Sequence, residues 1–70
     1  MARYMLICRS VEVVPCSDGY KTDAVGFIRY FATKDEARIR ARRFKLMKYE
    51  AAAVEVFAQV FDTKKKRWII

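Results

Sequence analysis

Histidine is absent from the 70 residues, so the chain lacks the commonest metal ligand and the commonest catalytic acid or base. It also lacks a glycine-rich phosphate loop, a serine nucleophile elbow and a C-x-x-C motif. Its carboxylates are scattered, and each is typical of a turn or a solvated surface. We therefore expect a protein that is not an enzyme and that has no catalytic residue, no metal site and no cofactor.

Glycine and proline are scarce, with two and one residues, which leaves little room for flexible linkers. A hydrophobic fraction of 54%, with five Phe, four Tyr and one Trp, excludes intrinsic disorder. No apolar run approaches the ~18 residues that a membrane span needs. Charge interrupts the N-terminal segment too early for a secretory signal. We expect one folded domain over residues 1–70, cytoplasmic and without membrane contact.

Only two cysteines are present, Cys8 and Cys16. In one continuous strand, at ~3.3 Å per residue, they would lie beyond disulfide reach. We expect two free thiols, with Cys8 in the core and Cys16 in an exposed loop.

Hydrophobic periodicity predicts four strands around one helix. The turn formers of residues 15–23 predict a long loop between the first two strands, and residues 62–65 predict a turn between the last two. The predicted strands are residues 3–14, 25–31, 53–61 and 66–70. The order β-β-α-β-β implies an α+β fold, with a four-stranded antiparallel sheet and the helix packed on one face.

The helix has a specific start signal. Thr33 as N-cap and Glu36 three residues later form a capping box. The helix is predicted to end near Tyr49, and residues 50–53 either extend it or connect it to the next strand.

Positive charge is concentrated in two clusters. The helix contributes a net +5 and residues 64–67 contribute +4, while the rest of the chain sums to −2, which together make the formal +7. Such a distribution favours a negatively charged partner, either an acidic protein surface or nucleic acid within a larger complex. The candidate partner- or nucleic-acid-binding residues are Arg38, Arg42, Arg43, Lys45, Tyr49, Lys64, Lys65, Lys66 and Arg67.

At ~100° per residue the helix has two apolar sectors. One holds Ala37, Ala41, Phe44, Met47 and Lys48, and the other holds Ile39 and Leu46 beside Arg43. The preferred interpretation is a broad core stripe that includes Leu46, Ile39, Met47 and Phe44, with arginines extending past it. The alternative is an exposed Ile39 and Leu46 patch that contacts a second copy or a protein partner.

The sheet poses a similar question. Alternation over residues 53–61 places Val54, Val56, Ala58 and Val60 towards the helix. The opposite face then holds aromatic side chains, namely Phe57 and Phe61, joined by Trp68, Tyr30 and Tyr4. Single-stranded nucleic acid stacks on such faces, although the ribonucleoprotein consensus is absent. Homodimerisation, or the loop over residues 15–23, would equally cover this face.

The helix opens with F-A-T-K-D-E-A and the chain closes with K-K-K-R-W-I-I. With the compact β-β-α-β-β order, the chain resembles small phage-encoded inhibitors of the anti-CRISPR type. The resemblance implies a protein, in the host cell cytoplasm, that inhibits or modulates a nucleic-acid-handling complex by occlusion. The basic charge favours contact with acidic protein surface or RNA. The alternative is direct binding of RNA or DNA through the helix and the aromatic sheet face.

Overall fold

The computed structural model describes residues 2–70. The strands are β1 (Tyr4–Cys16), β2 (Gly19–Phe31), β3 (Glu55–Asp62) and β4 (Arg67–Trp68), and the helix is α1 (Lys34–Glu50). They form one antiparallel sheet in the order β2-β1-β3-β4, with α1 on one face. The predicted α+β fold is confirmed.

The first hairpin is longer than predicted, and the predicted loop over residues 15–23 is wrong. β1 and β2 pair without interruption as far as Cys16 and Gly19, and only Ser17 and Asp18 form the turn. Valine and tyrosine on both strands, with Thr22 on β2, favour the sheet, and they outweigh the scattered turn formers. Gly19 has a φ of 125°, which glycine adopts without steric cost.

This hairpin extends beyond the rest of the sheet. β3 pairs with β1 only as far as Val11, so residues 12–23 form a two-stranded arm. Pro15 lies in the arm, where β1 has no β3 neighbour and proline breaks no ladder bond on that side. The arm contributes to an elongated molecule of 47 × 18 × 17 Å.

Helix α1 begins at the predicted capping box. The Glu36 amide donates to Thr33 Oγ1 at 3.2 Å, and the Thr33 hydroxyl donates to the Glu36 carboxylate at 3.0 Å. The helix ends at Glu50, and Ala52 follows with a φ of 57°, so residues 51–54 form the connection to β3. Within residues 2–70, no helix is both long enough and apolar enough to cross a membrane.

The core between α1 and the sheet is small. Leu6 lies opposite Val60 and Cys8 opposite Ala58, and all four side chains face the helix. The complete buried cluster is Leu6, Cys8, Ala37, Ala41, Phe44, Ala58 and Val60. Three of these seven residues are alanines, so the helix can pack close to the strands.

The preferred interpretation of the helix core stripe is wrong. Ile39, Leu46 and Met47 are 51%, 60% and 53% exposed. Ala37 and Ala41 are small, so the helix axis lies close to the sheet. Only the narrow helix sector that holds Ala37, Ala41 and Phe44 is therefore buried. Ile39 and Leu46 therefore lie on the solvent side, as the alternative interpretation held.

Strand β3 follows the predicted alternation over most of its length. Ala58 and Val60 are buried against the helix, and Val56 packs against the same core. Val54 does not belong to this row, because it precedes β3 and is exposed. In β1, Ser10 is completely buried on the helix side, and its hydroxyl has no hydrogen-bond partner within residues 2–70.

The last strand is shorter than the predicted 66–70. Residues 63–66 form the turn, and Lys66 has a left-handed φ of 54°. Past β4 the chain stays beside β3, because the Ile69 amide donates to the Val60 carbonyl at 2.8 Å. The Val60 amide in turn donates to the Ile70 carbonyl at 3.2 Å.

Candidate polyanion-binding surface

Three basic residues form a stripe along one flank of α1, and we call Arg38, Arg42 and Lys45 the helix stripe. Arg38 and Arg42 are exposed and Lys45 is half-buried. With Ala41 and Ile70 they line a shallow cavity of about 210 Å³. The helix backbone holds the three cations in fixed register, one turn apart.

The other predicted helix residues lie further round α1. Arg43 is exposed on the solvent side, in the same sector as Ile39 and Leu46. Tyr49 is also exposed, and helical geometry places it in the sector of Arg42. These residues therefore extend the basic surface outwards.

Two basic residues of the helix are engaged within the molecule. Lys48 Nζ lies 3.4 Å from a carboxylate oxygen of Glu12 and forms a salt bridge with it. The Arg40 guanidinium lies 5.8 Å from the centre of the Phe27 ring, which packs edge to face with Phe44. Both side chains support the packing of α1, so the candidate binding surface of the helix consists of its other basic residues.

The second cluster, residues 64–67, is positioned by Asp62. This carboxylate is buried and accepts hydrogen bonds from Arg3 Nε at 2.9 Å and Arg3 Nη2 at 2.8 Å. It also accepts hydrogen bonds from the backbone amides of Lys64 at 3.0 Å and Lys65 at 3.2 Å. The Arg3 guanidinium and these two amides hold the pKa of Asp62 well below its usual range. Asp62 thus fixes the shape of the turn that carries the lysines.

Arg3 is the residue of this region that the sequence did not reveal. Its partner Asp62 lies 59 positions away in the chain, and no local pattern links the two. The Arg3 carbonyl also accepts hydrogen bonds from the amide and the hydroxyl of Thr63. Asp62 was interpreted as a solvated turn residue, but it is buried and ties the turn to the start of β1.

A cavity of about 280 Å³ joins the two basic clusters. Lys34, the first residue of α1, faces Lys65 and Arg67 across it, and Trp68 also lines it. Asp62 is paired with Arg3, and none of the three facing cations has a carboxylate partner within residues 2–70. The cavity therefore has an uncompensated positive charge and suits an anionic group.

The predicted aromatic face exists, with one correction. The registers place Phe57, Phe61, Trp68 and Tyr30 on the side of the sheet away from α1, and the Phe61 and Trp68 ring centres are 5.0 Å apart. Tyr4 is not part of this face. It lies opposite Asp62 on the helix side and packs against the core.

The helix stripe and the aromatic face lie on opposite sides of the sheet. Arg38, Arg42 and Lys45 belong to α1, which covers one side, whereas Phe57 and Tyr30 stand on the other. A nucleic-acid strand that lies along the helix stripe cannot stack its bases on those rings at the same time. The two surfaces therefore do not form one continuous site.

The two thiols differ in exposure, and neither belongs to a cluster of possible metal ligands within residues 2–70. As predicted, Cys8 is buried, Cys16 is exposed and both are free, although Cys16 is the last residue of β1 and does not lie in a loop. Burial raises the pKa of the Cys8 thiol, so Cys8 stays protonated at neutral pH. The described part of the chain contains no group of three or more Cys, Asp or Glu side chains that could hold a metal ion.

Comparisons of the chain with protein-family models, with curated proteins and with solved structures find no match.

Proposed function

We propose that the protein is a small non-enzymatic binding protein that inhibits or modulates a nucleic-acid-handling complex. It binds an acidic surface of that complex through the helix stripe and residues 64–67. The observation that carries the proposal is the set of exposed cations without internal partners. Within residues 2–70, the two salt bridges involve Arg3 and Lys48, and neither uses a residue of the proposed surface.

Unpaired like charges on one surface repel each other and disfavour the compact state, and a complementary surface relieves that repulsion. Charge complementarity also raises the association rate and selects against basic partners. Arginine suits such a surface because its planar guanidinium pairs with a carboxylate or phosphate through two hydrogen bonds. Arg38 and Arg42, held on one helix flank, are the strongest candidates for these contacts.

Inhibition by this protein requires occlusion only. A molecule 47 Å long, anchored by a charged helix, blocks access to a channel or locks one arrangement of its partner without chemistry. This mode of action is the one implied by the sequence resemblance to phage-encoded anti-defence inhibitors, anti-CRISPR proteins among them.

The alternative function is direct binding of RNA or DNA. The cavity beside Lys34, Lys65 and Arg67 favours it, since a positively charged site next to Trp68 suits a phosphate followed by a stacked base. The separation of the helix stripe from the open aromatic rings counts against a single extended site.

A pull-down from host-cell lysate, with and without nuclease, separates the two functions. We expect the wild-type protein to retain a protein complex after nuclease treatment and to release it as salt rises. The triple variant Arg38→Glu, Arg42→Glu, Lys45→Glu should lose that complex. Two single charge reversals provide a matched control. Arg42→Glu should weaken capture of the complex, whereas Lys21→Glu, at an exposed position on the arm, should leave it unchanged.

Two results would count against the proposal. Capture that disappears with nuclease, together with salt-sensitive binding to purified oligonucleotides, would assign the protein to direct recognition. Capture by the triple variant at wild-type strength would show that the charge of the helix stripe serves solubility alone.

A further inference from the structure

The side of the sheet away from α1 is apolar and uncovered. We call it the open sheet face, and strand registers assign its side chains. Its large apolar residues are Met5, Ile7, Val11, Val13, Ile28, Tyr30, Phe57, Phe61 and Trp68. In the part of the chain that the structure describes, no segment packs across them, because α1 lies on the other side.

The open sheet face is richer in large side chains than the buried core. The core holds three alanines, one cysteine and only three larger residues, Leu6, Phe44 and Val60. A chain of 70 residues buries a smaller share of its surface than a larger domain does, so its core is marginal. A large apolar surface therefore stays exposed on this side of the sheet, and its burial would add hydrophobic stabilisation.

The charge of this face indicates what can cover it. Among its strand residues only Arg9 and Glu55 are charged, so its formal charge is zero, whereas the whole chain carries +7. The phosphates of a polyanion are attracted to the helix side and find no net positive charge here. The occupant must be apolar and close to neutral.

We propose that the occupant is a second copy of this chain, which forms a symmetric dimer with the two open sheet faces packed together. Each copy supplies an apolar face and one residue of each sign, Arg9 and Glu55, so the face is self-complementary in polarity and charge. The proposal does not depend on the proposed function, because the helix stripe stays on the outside.

Electrostatic repulsion does not prevent this arrangement. Stacked sheets lie about 10 Å apart, and a helix adds about 10 Å on each side, so the two helices lie roughly 30 Å apart. That distance is several times the Debye length of about 8 Å at physiological salt. The two helix stripes are therefore screened from each other and point in opposite directions.

The area is sufficient for a specific interface. Strands β1, β2 and β3 lie side by side over the eight paired residues of β1 and β3. With half of the arm's length added, the flat area of this region is roughly 500 Å² per copy. Two copies then bury about 1,000 Å² in total, without the additional area of protruding side chains. This reaches the ~1,000 Å² expected of a specific protein interface.

The test compares two isoleucines of nearly equal exposure. Ile28 is 57% exposed on the open sheet face, and Ile39 is 51% exposed on the solvent side of α1. The wild-type protein in sedimentation equilibrium should have twice the chain mass of 8.3 kDa and should keep it in high salt. Ile28→Lys should raise the dimer dissociation constant more than about tenfold, because symmetry buries two unpaired cations at once. Ile39→Lys should leave the mass unchanged.

Circular dichroism should show both variants folded, since each substitution is at an exposed position. A wild-type monomer at millimolar concentration would overturn the proposal. A dimer that Ile39→Lys dissociates would also overturn it. So would a dimer that Ile28→Lys leaves intact, which is the result expected if the two copies paired through the free edge of β2. Capture of the partner complex by Ile28→Lys should remain, so the dimer and the proposed function fail separately.

Discussion

The close contact between α1 and the sheet predicts losses of stability of different size at two helix positions. Ala37 is fully buried in the core, so Ala37→Leu forces three additional carbon atoms into filled space. Overpacking of this kind destabilises a fold by about 1–3 kcal/mol. Leu46 is 60% exposed, so Leu46→Ala forfeits less than half of the ~2 kcal/mol that full burial of leucine is worth. Alanine also favours the helix slightly, which keeps the net loss below about 1 kcal/mol.

Thermal denaturation followed by circular dichroism measures this difference. In a domain of this size, 1 kcal/mol shifts the melting temperature by about 4–8 °C. We expect Ala37→Leu to lower it by more than Leu46→Ala does. All proteins must be melted at one concentration, because association raises apparent stability.

Ala41→Leu provides a graded control. Ala41 is also buried, but it borders the cavity of about 210 Å³ beside the helix stripe, which can accept part of a larger side chain. Its destabilisation should lie between the other two. If Leu46→Ala proved the most damaging of the three changes, the rotation of α1 described above would be refuted.

Three further predictions concern charge and buried polar groups. The triple variant Arg38→Glu, Arg42→Glu, Lys45→Glu should unfold within about 0.5 kcal/mol of wild type in urea, since its charges lie at the surface; a larger loss would mean that the stripe supports the fold. Because the pKa of Asp62 is lowered on folding, its carboxylate stabilises the fold fully above the unfolded pKa of about 3.9, and this stabilisation is lost as pH falls below that value. In urea titrations at several pH values, Asp62→Asn should show a smaller fall in the free energy of unfolding on acidification than the wild type. Ser10→Ala should leave stability unchanged or raise it by up to about 1 kcal/mol, because the buried hydroxyl has no partner to lose; a clear loss in melting temperature would indicate a hidden hydrogen bond.

Several features followed from local sequence alone. The helix begins at Thr33 because the capping box needs only neighbouring residues, and its hydrogen bonds close within one turn. The alternation of Val56, Ala58 and Val60 with the phenylalanines predicted which side of β3 faces the helix. Both signals depend only on residues close together in the chain, so they could be recognised without the fold.

The errors have a different origin. Turn-forming residues around Pro15 suggested a loop, but pairing with the opposite strand carried β1 through to Cys16. The rotation of α1 was misjudged because Ile39 and Leu46 are more hydrophobic than alanine. Burial there depends on how close the helix lies to the sheet, and side-chain hydrophobicity does not report that distance.

The sequence by itself determined the order of the elements, the start of the helix and the concentration of positive charge in two clusters, since these depend on residues adjacent in the chain. Tertiary structure alone decided that Arg3 neutralises Asp62 across 59 positions and that Lys34 meets Lys65 and Arg67 around one cavity. It also decided that the helix stripe and the open sheet face lie on opposite sides. The physical reason is that one helix can cover only one face of a sheet, and long-range packing selects which face it covers.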